Sequence, residues 1–94
     1  MSQRNQFFTN QSAGATSATF QFAGSTWILS AEASSWGGAS LKLQAKGPNG
    51  TFIDIAGAVL TANGFFEFDA ARGSEIQAVI TGTPTGLYAI AVPI

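Results

Sequence analysis

The segment GFFEFDA, residues 64–70, sets Glu67 and Asp69 two positions apart. Residues so spaced share one face of an extended strand, roughly 6–7 Å apart. Two carboxylates at that distance suit glycoside hydrolysis, one serving as acid and the other as nucleophile or base, or part of a Ca²⁺ shell. A Ca²⁺ shell takes six or more oxygens, and no DxDxDG-type loop supplies the rest. The pair therefore reads as a solvated strand face that also discourages edge-to-edge pairing. The chain holds no histidine and no cysteine. Imidazole bases, thiolate nucleophiles, the common triads, thiolate metal sites and disulfides are excluded with them. No serine stands in a GxSxG elbow, and no P-loop lysine follows GGAS or GPNG. A non-enzymatic protein is expected, with no catalytic residue, no metal and no cofactor.

Trp36 is the stronger candidate for binding. SSWGGAS places it in a loop beside Gly37 and Gly38, where a partner can approach the backbone closely. An exposed tryptophan there would stack on a sugar ring or anchor a protein partner. One that folds back would plug an end of the domain. Both readings stay open, and Trp36 marks the candidate ligand or partner loop.

Charge narrows the partners. Charged residues make up 10% of the 94 residues, with net charge −1, against roughly 25% charged in an average soluble domain. The four cations, Arg4, Lys42, Lys46 and Arg72, are scattered, so no basic stripe of the kind nucleic acid requires is present. The start, MSQRNQFFTNQSAG, lacks an apolar h-region, and no stretch approaches the ~20 apolar residues of a membrane span. Neither nucleic acid nor membrane is an expected partner. Made in a cytoplasm, the chain would stay soluble or join a particle there.

The elements that position these residues are short strands. Turn signals recur at Pro48-Asn49-Gly50, Asn63-Gly64, Gly73-Ser74, Gly82 and GTPTG. Asn63-Gly64 reads as a type I′ hairpin turn. Between the breaks, apolar residues alternate with period two. Trp27, Leu29, Ala31 and Ala33 share one face; Leu41, Leu43 and Ala45 another; Ile53 and Ile55, Phe66 and Phe68, Ile76, Ala78 and Ile80, and Leu87, Ala89 and Ala91 follow. ATFQFAG adds a strand through Phe20 and Phe22. Six to eight short strands in so few residues predict an all-β fold, a small antiparallel β-sandwich of jelly-roll or Ig-like type. That domain is expected over residues 16–94. Residues 1–15, polar except for Phe7-Phe8, read as a flexible arm with those two rings as its anchor.

The same alternation leaves Ile28, Phe52, Phe65, Val79, Tyr88, Ile90 and Val92 on faces opposite the core. A cluster of that kind marks an interface, and identical chains meet first, so a symmetric homo-oligomer is expected.

Together, WILSA at Trp27–Ala31, WGGASLKLQ at Trp36–Gln44, PNGTFIDI at Pro48–Ile55, LTANG at Leu60–Gly64 and GSEIQAVITG…GLYA from Gly73 to Ala89 resemble small all-β virion proteins of tailed bacteriophages. The likeness runs from Trp27 onward, about two-thirds of the chain, and rests on turns and alternation. Its best fit is the capsid decoration or cement type. That resemblance implies a homotrimer seated on the phage major capsid protein, stabilising the head shell of a virion assembled in the bacterial host cytoplasm. Tail and fibre modules that bind host-surface glycan or another virion protein share this β vocabulary and form the alternative.

Overall fold

Period-two alternation yields strands because successive side chains of an extended backbone point to opposite sides. The computed structural model describes residues 5–22 and 24–93 and contains nine strands among them. They are β1 (Asn5–Gln11), β2 (Ala15–Thr16), β3 (Phe20–Phe22), β4 (Ser25–Glu32), β5 (Ser40–Lys46), β6 (Phe52–Leu60), β7 (Gly64–Ala70), β8 (Ser74–Thr81) and β9 (Leu87–Pro93).

Two antiparallel sheets stack on one another. Sheet A runs β1-β9-β4-β7; sheet B runs β2-β8-β5-β6, with β3 also pairing to β8. Apart from the β5–β6 hairpin and the β2–β3 segment, each connection passes from one sheet to the other. This is the order of a jelly roll, which decides between the two expected sandwich types. It also corrects the reading of Asn63-Gly64. Those residues cross from β6 in sheet B to β7 in sheet A and close no hairpin. The Pro48 turn does close one, with Gly50 N–H donating to the Gly47 carbonyl at 3.0 Å.

Except on β6, the inner faces carry the residues that the alternation assigned to them. Trp27, Leu29, Leu41, Leu43, Ala78, Leu87 and Ala91 are wholly buried. Strand β6 departs from regularity. Its register against β5 shifts between Lys42 and Gln44, and Gly57 takes a left-handed φ of 78° within the bulge, a conformation that glycine adopts without a Cβ penalty. The bulge lets the strand continue to Leu60 and turns Ala58 inward, while Ile53 stays largely exposed.

The expected flexible arm is where the structure differs most. Residues 5–11 are an edge strand of sheet A, paired to β9, so the folded domain already includes Asn5 among the described residues. Regular alternation would send one of two adjacent phenylalanines to solvent. Here Gln6 pairs with Ile90 and Phe8 with Ala89, leaving Phe7 as the extra residue of a β-bulge. Both rings turn inward and are buried. A second extra residue follows before Gln11, at Asn10, whose φ is 51°. Phe7 meets Phe20 edge-on at 5.5 Å and stacks on Phe22 at 6.2 Å; Phe22 meets Trp27 at 4.4 Å and Phe68 at 5.8 Å. The expected anchor residues thus belong to the core.

Candidate functional site

Outward positions of sheet A come from β4 (Thr26, Ile28, Ser30, Glu32), β7 (Phe65, Glu67, Asp69) and β9 (Tyr88, Ile90, Val92). Register places them in rungs. Ile28 lies between Glu67 and Val92, Ser30 between Phe65 and Ile90, and Glu32 beside Tyr88. Same-face neighbours on adjacent strands stand about 4.5–5.5 Å apart, so Ile28, Phe65, Tyr88, Ile90 and Val92 form one apolar surface. Phe65 is 72% exposed and Tyr88 43%; the other three are half-buried. Because Ser30 is small, the surface is indented there. A groove of about 420 Å³ is lined by Ser30, Glu32, Asn63, Phe65, Tyr88 and Ile90.

The other two residues expected at this interface, Phe52 and Val79, sit on the outer face of sheet B, where Val79 pairs with Lys42 and Phe52 with Lys46. That face is polar. Gln77 Nε2 donates to Gln44 Oε1 at 2.9 Å, Gln44 Nε2 to Asp54 Oδ1 at 2.8 Å, and Lys42 Nζ stands 3.2 Å from the same oxygen. Lys46 and Glu75 lie 3.8 Å apart. Such groups stay solvated while shielding the apolar stems beneath. Among the described residues, the longer run of adjacent outward apolar side chains therefore lies on sheet A.

Within the sheet B network the Gln44 amide, and after it the Lys42 ammonium, hold the Asp54 carboxyl below its ordinary value of 3.8. A depressed carboxylate stabilises the fold above its unfolded pKa, and that contribution fades as pH falls through the folded value. The stability difference between wild type and Asp54→Asn is therefore expected to be constant near neutrality and to shrink below about pH 3.8. Urea midpoints at pH 7, 4 and 3 measure it; a difference that widens in acid would contradict the assignment.

Glu67 and Asp69 do share the outer face of β7. Asp69 accepts a hydrogen bond from Thr26 Oγ1 at 2.7 Å, and Glu67 lies beside Ile28. Among the described residues no three His, Cys, Asp or Glu side chains converge as a metal site would require.

Trp36 is half-buried and packs against the core at one end of the sandwich. Its indole N–H donates to Asn63 Oδ1 at 2.7 Å, and the backbone N–H of Ala33 donates to the same oxygen at 2.9 Å. This fits the plugging reading of the loop, with Asn63 as its clasp. Asn63 was legible only as half of a turn signal; nothing in TANGFF shows that its amide would serve a tryptophan 27 positions away. Asn63→Ala leaves both donors without this acceptor and is expected to cost about 1–2 kcal/mol. Chemical denaturation checks the loss, and Asn63→Asp, which keeps the acceptor, should recover most of it.

Comparison with solved structures supplies the fold alone. The chain is similar to the SPBc2 prophage-derived protein YomS, with a TM-score of 0.73 and 14% identity over 99% of this chain and 94% of that one. It is also similar to the mitogen YPM of Yersinia pseudotuberculosis (TM-score 0.57, 9% identity, 100% and 84% covered) and to PirA (TM-score 0.55, 13% identity, 97% and 92% covered). No family model matches the chain, and no curated protein sequence matches it.

Proposed function

We propose that the chain is a structural, non-enzymatic component of a bacteriophage particle, and more specifically a capsid decoration protein. It self-associates, docks on the phage major capsid protein and stabilises the head shell of a virion assembled in the bacterial host cytoplasm. The observation that carries this reading is the apolar outer face of β4, β7 and β9. Full burial of a single large apolar side chain contributes roughly 1.5–3 kcal/mol; three of the five are already half-buried, and covering what remains exposed of the five works against the cost of association. The likeness in fold to a prophage-derived protein supports the phage setting. The jelly roll itself hosts many functions and does not choose among them.

The test is binding to purified phage heads. Saturable co-sedimentation with the shells, and a higher temperature of shell rupture in the presence of the protein, are the expected results. Immunogold label confined to tails would replace the head role by the tail or fibre alternative. Particles free of the protein would overturn the structural reading.

A further inference from the structure

We propose that the outer face of sheet A packs against the same face of a second copy, about a two-fold axis that runs along the strands between β4 and β9. The inference rests on the reading of this face as a self-association surface and specifies how it is filled.

Two rows of side chains flank that axis. On β4 stand Ile28, Ser30 and Glu32; opposite them on β9 stand Val92, Ile90 and Tyr88, rung by rung. A two-fold between the rows exchanges them, so each β4 residue meets across the interface the residue it already neighbours within its own sheet. Ile28 then faces Val92, branched aliphatic on branched aliphatic. Ser30, the smallest residue on the face, receives Ile90, whose side chain enters the groove of about 420 Å³. The Glu32 carboxylate faces the Tyr88 hydroxyl, an acceptor meeting a donor. Large against small and donor against acceptor, in one register, make the face complementary to itself.

Charge selects this axis over its neighbours. The four strands of sheet A contain Glu32, Glu67 and Asp69 but no lysine or arginine. An axis running along β7 would set Glu67 and Asp69 against their own copies, which is repulsive. The axis between β4 and β9 lays β7 over the partner's β1, an uncharged strand with Gln6 on its outward side. No carboxylate then meets a carboxylate. Area is sufficient too. The molecule measures 34 × 32 × 20 Å, and its short dimension is that of two stacked sheets, which pack about 10 Å apart. The broad face of the molecule, sheet A together with its flanking loops, is thus wide enough for the roughly 800 Å² per partner of a standard interface. An isologous contact closes at two copies, whereas the trimer implied by resemblance needs two different patches on each chain.

A swap of sizes tests the pairing on the full-length protein. Wild type should sediment as a dimer. Ser30→Ile sets bulk against bulk, and Ile90→Ser sets gap against gap; each should raise the dimer Kd by about tenfold or more. The double variant Ser30→Ile with Ile90→Ser moves the large residue from β9 to β4, restores complementarity, and should return Kd to within about threefold of wild type, with unfolding midpoints confirming that all three variants fold. A trimer mass, a wild-type monomer, or a double variant no tighter than the single ones would overturn the two-fold pairing. Shell binding measured beside it separates the two proposals: heads decorated by a monomer or trimer would sink this pairing and leave the decoration role standing.

Discussion

A chain lacking residues 1–11 is expected to show no cooperative unfolding transition. The truncation removes Phe7 and Phe8, both buried, and exposes the rings that they cover, Phe20 and Phe22 for Phe7. Loss of a buried phenylalanine costs about 3–5 kcal/mol, and a domain this size has only about 5–15 kcal/mol in total. Truncation also strips β9 of the partner on one side, leaving its N–H and C=O groups unpaired along β1's length. Circular dichroism through a urea titration reads the result. Two point variants grade it: Phe8→Ala should lose about 3–5 kcal/mol, whereas Gln6→Ala, which removes only an amide hydrogen bond donated to the Phe8 carbonyl at 2.7 Å, should lose about 0.5–1.5 kcal/mol. A truncated chain that unfolds at the wild-type midpoint would return residues 5–11 to the status of a dispensable arm.

Replacing Trp27 by alanine should be nearly as damaging. The indole is wholly buried and meets Phe22 at 4.4 Å with the rings inclined by 62°. Transfer and cavity terms for a buried tryptophan amount to about 3–5 kcal/mol, and an edge-on aromatic pair adds about 0.5–1.5 kcal/mol. The other tryptophan supplies the contrast. Trp36 is half-buried at the end of the sandwich, so Trp36→Ala should fall well short of the Trp27→Ala loss. Unfolding free energies of the two variants, measured side by side, decide the matter; equal losses would mean that the plug matters as much as the centre of the core.

Asn63 and Phe7 show why the two levels of description part. The Asn-Gly pair is a strong hairpin signal when its flanking segments pair with each other. Whether they do is set by distant strands: β7 is claimed by β4, and β6 by β5. Local preference then yields to the larger burial gained by stacking the sheets, and the asparagine side chain is recruited to Trp36. The double phenylalanine is the same lesson in reverse. Alternation is a rule of regular strands, and a bulge, which suspends it, has no marker in NQFFTNQ.

From the order of residues alone came the strand class, the turn at Pro48, the inward rows of β4, β5, β8 and β9, and the presence of apolar residues on the reverse side. These follow from the period of an extended backbone, a property of a few consecutive residues. Tertiary structure decided where those reverse-side residues meet. Ile28, Phe65, Tyr88, Ile90 and Val92 come together because β4 pairs with both β7 and β9, while Phe52 and Val79 are carried to the polar face of sheet B. Pairings between strands tens of residues apart obey the burial of the whole core, which no short window of sequence encodes.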